Sequence, residues 1–368
     1  MLFTAIIAFL VIFSLLILVH EWGHFIAARI FGVQVEEFGL GLPPKAKRLF
    51  RDKKKTAYTL NWLPLGGFVR MKGEEEHSQK LLKEPDSFAA RPVWQRIIMV
   101  CAGVTMNLLA GYILFVLVFS LGQIFLSASE SVDKVISDNP KAEFVSVQPL
   151  GMLVQDITEA AAVTGSELRR FDFISTIDGE VFTSSGEFQQ LLILRASQPT
   201  TLSVLRREHR LEMVVTPDAE GKLGVVISGP LTAIKLRYPF LIAVTEAGKE
   251  TWRLIGLVTG AIGGLFGNLL HGELPDDIGG PVAIAKETFY RASSLLALLN
   301  FAALLSITLA IFNILPIPAL DGGRLLFLIY EGVLRRRPNP KIEARIHAAG
   351  YVLLLGLIVL ISWQDIFR

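Results

Sequence analysis

Leu2 to Val19 is a nearly unbroken apolar run, with Thr4 and Ser14 its only polar positions. Eighteen helical residues rise about 27 Å, close to the hydrocarbon thickness of a bilayer. The pattern predicts a helix that continues through His20-Glu21-Trp22-Gly23-His24 to about Val33. With no basic stretch before it, it reads as a retained helix and not a cleaved leader. Three further runs predict spans at Ile97–Phe125, Leu295–Leu315 and Ile346–Trp363. Leu254–Leu270 is also apolar, but it holds five glycines and follows Lys249, Glu250 and Arg253. It reads as an interfacial or re-entrant helix.

Between the second and third spans the pattern changes. Short apolar segments at 151–154, 173–177, 201–205, 211–215 and 223–227 are separated by turn residues, and Glu187–Leu194 has helical character. Asp178-Gly179 suits a tight turn. This predicts an α/β or all-β module of roughly 100 residues, a normal domain size. Thr56–Met71 combines Tyr58, Thr59, Leu60 and Trp62 with Pro64 and Gly66-Gly67, which predicts a hairpin or looped sheet. Leu60 and Val69 are expected on an edge of it. Such backbone is tolerated at membrane depth only when buried in protein or lining a cavity.

Composition agrees with a membrane protein. The chain has 368 residues, 52% hydrophobic and only 19% charged, against about 25% charged in soluble proteins. The net charge of +2 gives no reason to expect nucleic acid. One cysteine, Cys101, excludes an intramolecular disulfide. Bases crowd 29–96 and 324–337, so the positive-inside rule puts both in the cytoplasm. The N-terminus and the module at 127–231 are then outside.

The candidate chemistry sits in the first span. HExxH on a helix is a zinc-protease signature, with both histidines on one face and the glutamate as base. Ionisable residues beside an apolar span are costly and point to function. Catalytic zinc usually has three protein ligands and an open position. Asp321, after Pro316 and Pro318 and before Gly322-Gly323, is either a turn aspartate or the third ligand. The need for a third ligand favours the second reading, provided Leu254–Leu270 does not cross. His77, His209, His271 and His347 are poorer candidates: the first lies in an acidic loop, the second in the module, and the last two read as interfacial. Asn313 is either a binder of substrate backbone or packing glue between helices.

Taken together, His20-Glu21-x-x-His24, Leu65-Gly66-Gly67-Phe68-Val69-x-Met71 and Asn313-x-x-Pro316-x-Pro318-x-x-x-Asp321-Gly322 resemble the site-2 protease family of intramembrane zinc metalloproteases, especially its bacterial RseP-type branch. Phe38–Gly41 and Gly280–Ala285 resemble that branch too. The resemblance implies a multi-pass α-helical membrane protein with four transmembrane helices, a membrane-re-entrant β element and one inserted PDZ domain. Expected boundaries are 1–126 for the first two helices and the β segment, 127–231 for a periplasmic or extracellular PDZ domain, and 232–368 for the interfacial segment and last two helices. It implies Zn2+ held by His20, His24 and Asp321, Glu21 as catalytic acid/base, and substrate contacts at Asn313, Gly66 and Gly67. Phe171-Asp172, after Arg169-Arg170, stands where PDZ domains commonly have Gly-Asp. This departure argues against binding of a free carboxylate, and a steric gate that excludes bulky outer domains fits the insert at least as well.

The implied partners are single-pass membrane substrates, anti-sigma-factor-like proteins or signal-peptide remnants, and the lipid bilayer of the cell inner membrane. An inactive PDZ scaffold is disfavoured by Glu21. An ion transporter is disfavoured by the lack of repeated halves.

Overall fold

In the computed structural model the described residues are 2–74, 80–128, 132–158, 167–182, 184–206, 209–270, 284 and 295–367. His77, His271 and the 280–285 segment apart from Ile284 lie outside them. The chain divides into two compact units: Met1–Phe115 with Ala247–Ala292 and Leu298–Arg368, and Val116–Glu246 with Ser293–Ala297.

Among the described residues, four helices are long and apolar enough to cross a membrane. They are α1 (Leu2–Ile30), α2 (Val93–Leu121), α6 (Leu295–Ile314) and α8 (Pro340–Phe367). The second and fourth begin earlier than the hydrophobic pattern suggested. Pro92 stands immediately before the first turn of α2, and Pro340 is the first residue of α8, where a missing N–H does no harm. α5 (Phe240–Leu270) is not among the four. Glu246, Lys249, Glu250 and Arg253 occupy its first half.

The basic connection after α1 is itself a strand, which periodicity did not reveal. β1 (Val35–Arg51) pairs with β2 (Ala57–Met71), and both double back on themselves. Val35–Leu40 has Gly67–Met71 on one side and Ala57–Leu60 on the other; Lys45–Arg51 lines the far side of Ala57–Leu60. Leu60 is therefore paired on both sides, to Leu40 and Lys47, and is not on an edge as expected. Val69 is in an outer segment. Buried Glu37 ties the layers together through Lys45 at 2.7 Å, Arg70 at 2.8 Å and the Thr59 hydroxyl at 2.8 Å. Burial opposes its charge, but hydrogen bonds from Lys45 and Thr59 outweigh this and lower its pKa.

The second unit contains a sheet ordered β3 (Gln123–Ala128), β9 (Val225–Arg237), β4 (Glu143–Ile157), β5 (Phe173–Ile177), β7 (Thr200–Arg206) and β8 (His209–Val215). The short β6 (Glu180–Val181) pairs with β5 through Asp178-Gly179, both at positive φ, as the sequence predicted. α3 (Val132–Asp138) and α4 (Ser185–Leu194) complete it. Phe188 and Leu192 of α4 join Met152, Ile174 and Leu202 in its core. The five predicted strand segments fall on β4, β5, β7, β8 and β9, and β3 extends the sheet.

Phe171 lies just before β5 at φ +69°, while buried Asp172 is held bidentately by Arg206, with both contacts at 2.7 Å. The left-handed backbone costs a non-glycine residue about 1–2 kcal/mol, part of which glycine returns as unfolded-state entropy. Phe171→Gly should therefore stabilise this unit by about 0.5–1 kcal/mol. Slower native-state hydrogen exchange in β5 and β7 is the expected readout; faster exchange would mean that the ring's packing outweighs backbone strain.

Candidate metal centre

His20 and His24 leave α1 one helical turn apart and are both buried. Their Nε2 atoms are 3.1 Å apart. Asp321, the first residue of α7 (Asp321–Leu334), places Oδ2 2.9 Å from His20 Nε2 and 3.3 Å from His24 Nε2. One ligand-type atom from each of the three falls within 4.8 Å of the others, the only such cluster among the described residues. Asp321 is thus not a free turn residue.

The hydrogen-bond pattern says what the cluster can hold. His24 Nδ1 lies 2.8 Å from the Met99 carbonyl, which can only accept, so Nδ1 carries the proton and Nε2 presents a lone pair. Asp321 Oδ2 is buried yet receives no hydrogen bond from either imidazole. Lone pairs therefore converge where a cation is needed. Tetrahedral zinc with bonds of about 2.0–2.1 Å would set its ligands about 3.3 Å apart. The observed 2.9–3.3 Å edges fit that requirement.

α2 supplies parts that the sequence reading missed. Asn107 Nδ2 lies 3.4 Å from His20 Nδ1, while its Oδ1 is buried without a donor. Amide nitrogen and oxygen are assigned from such networks. Exchanging them gives His20 Nδ1–H an acceptor, the same arrangement that Met99 gives His24. Ser306 of α6 donates to the Asn107 carbonyl at 2.8 Å. Gly23 and Gly103 make room between α1 and α2. A Cβ on Gly23 would lie 2.3 Å from the Ala102 carbonyl, and one on Gly103 2.4 Å from His24 Nε2. Asn107, a polar residue inside an apolar span, was the available signal.

Glu21 accepts a hydrogen bond from the Val69 backbone N–H at 3.0 Å. The outer segment of β2 thereby fixes the carboxylate beside the two histidines. Gly66 and Gly67 rest on α1: a Cβ on either would come within 2.7 Å of Ile17 or Leu18, and Gly66 N–H donates to Ser14 at 3.1 Å. Asn313 stands half-buried in the last turn of α6, outside the cluster. His209 is exposed on β8.

α7 is fixed at both ends. Gly322 and Gly323 fold its first turn onto the end of α6, where a Cβ would meet the Leu315 carbonyl at 2.0 Å or that of Ile317 at 2.5 Å. Arg324 pairs with Glu74, just past β2. Farther along, Arg96 of α2 grips Glu331 with two contacts of 2.6 and 2.9 Å, both residues buried. Bidentate pairs of this kind fix orientation as well as distance.

The model of peptidase family M50 matches residues 8–357. A Clostridium perfringens (strain 13) protein is 34% identical over 366 residues, covering 98% of each chain. One from Nostoc (strain PCC 7120) is 33% identical, over 96% of this chain and 93% of its own. One from Rickettsia conorii is 27% identical, over 98% of both. All three are provisionally named zinc metalloproteases.

The atoms that a Gly103 side chain would strike are imidazole tips, so Gly103→Ala should leave the fold intact and displace the histidines. Losses of 10–100-fold follow disruption of the residues supporting metal ligands. A drop of at least about tenfold in zinc affinity, with unchanged helical circular dichroism, is expected. Wild-type affinity in chelator competition would refute the packing argument.

Proposed function

Because this chain belongs to peptidase family M50, the site-2 proteases, it is a membrane metalloprotease, and we propose that His20, His24 and Asp321 hold its zinc and Glu21 moves the proton. The observation that carries this is the buried, donor-free Asp321 Oδ2 facing two imidazole nitrogens. Held by these residues, zinc would supply Lewis acidity, making water more acidic and polarising a peptide carbonyl. Glu21 accepts the water proton and returns it to the leaving amine. Val69 N–H holds its carboxylate in place between these transfers.

The proposed substrates are single-pass membrane proteins, cut in or near the span. Helical amides are already paired, so a substrate must unwind before its carbonyl is accessible. The outer segment Gly67–Met71, beside Glu21, is suited to receive an extended chain by strand addition. Gly66 and Gly67 contribute by bringing this segment against α1, and Asn313 by holding substrate backbone. The β1–β2 sheet would be re-entrant, the second unit a PDZ domain, and the membrane a bacterial inner membrane with that unit outside. In this reading the PDZ domain excludes substrates whose outer domains are intact. The output is release of an anti-sigma-factor-like protein or removal of a signal-peptide remnant. The scaffold alternative leaves the converging lone pairs and the oriented Glu21 without a role.

Glu21→Gln should lower cleavage of a model membrane peptide at least about 100-fold, the usual share of general acid–base catalysis. Bound zinc should stay at wild-type stoichiometry. Near-normal cleavage would remove Glu21 from the mechanism.

Excising 127–231 should preserve zinc binding, since no proposed ligand lies there, and allow cutting of substrates with untrimmed outer domains. Paired assays on trimmed and untrimmed substrates check this. Unchanged selectivity would argue against a gate.

A further inference from the structure

The loop that delivers Asp321 is strained, and one side chain from the last helix holds it. Ala319, two residues before Asp321, sits at φ +79°, a left-handed conformation that L side chains disfavour. Its backbone N–H donates to His347 Nδ1 at 2.9 Å. One helical turn farther along α8, Gly350 lies flat on the same loop. A Cβ there would be 2.5 Å from Pro318 Cβ and 2.6 Å from the Pro318 carbonyl. α8 thus meets the loop with an acceptor and a bare backbone surface.

The tautomer follows from the donor. A backbone N–H can only donate, so His347 Nδ1 presents a lone pair and the neutral ring carries its proton on Nε2. That Nε2 is buried and has no hydrogen-bond partner among the described residues. The Phe327 ring lies 5.5 Å away, centroid to centroid. The imidazole accepts an unsatisfied buried donor in order to present Nδ1 to Ala319. The sequence reading of His347 as an interfacial residue does not describe this position.

We infer that His347 is a positioning residue for the metal centre: by accepting the Ala319 N–H it holds the left-handed turn that aims Asp321 Oδ2 at His20 and His24. The inference rests on Asp321 being the third ligand. The last helix, otherwise exposed along most of its length, thereby controls metal retention without supplying a ligand.

The test uses two side chains of nearly equal shape. His347→Asn keeps an acceptor at the Nδ1 position, whereas His347→Leu removes it. Zinc affinity of the purified full chain is measured by chelator competition, with cleavage recorded in parallel. His347→Leu should bind zinc at least about tenfold more weakly, and His347→Asn should stay within about threefold of wild type. Adding Ala319→Gly to the leucine variant should restore most of the loss, because glycine adopts positive φ freely. Ala319→Gly alone should bind as wild type. Wild-type affinity in His347→Leu, equal losses in the leucine and asparagine variants, or no rescue by glycine would each overturn the inference. Asp321→Ala separates the two readings. If it keeps its zinc, the ligand assignment fails and this inference with it; if it loses zinc while His347→Leu does not, only the role of His347 fails.

Discussion

Asp321 Oδ2 lies among lone pairs, buried and without a hydrogen-bond donor, 2.9 and 3.3 Å from two imidazole nitrogens. Unpaired acceptors so crowded are tolerable only around a cation. The rest of the first unit can be read as the means of enforcing that crowding across 297 residues of sequence separation, 321 less 24. Gly23 lets α1 touch α2, Gly103 leaves the imidazoles room, and Arg96 and Glu331 lock α2 to α7. The geometry of this cluster is thus built by helix packing, with loops confined to the six residues between α6 and α7.

Much of this was legible in the chain. The i, i+4 spacing of His20 and His24 fixes a shared face for any helix. The Asp321 motif was ambiguous by itself, and became readable only because two histidines require a third donor. Four apolar runs gave the four long helices, and alternating segments gave most of the sheet in the second unit.

What escaped has physical reasons. β1 alternates poorly because it doubles back, with the same residues paired on both sides, so no period-two pattern survives. Leu60 is not on an edge because β1 doubles back and pairs with it from both sides, which local pattern does not show. Gly103 lies inside an apolar run where hydropathy does not register it, and Asn107, one turn on, is a polar residue whose partner the pattern does not name. His347 sits in the first turns of α8 with nothing in its neighbourhood of sequence to suggest a partner at Ala319.

The hydrogen bond from Val69 to Glu21 has a consequence for how such a site changes over time. The donor is a peptide group, present whatever side chain stands at 69 unless it is proline. Substitutions there can alter the strand's outer surface, and hence which chains lie well against it, while the carboxylate keeps its aim. Alanine scanning would pass over the position in silence, whereas replacing that one amide by an ester would expose it. In the proposed mechanism the side chain at 69 faces the substrate while its backbone N–H aims Glu21, so selectivity is free to drift without disturbing the carboxylate.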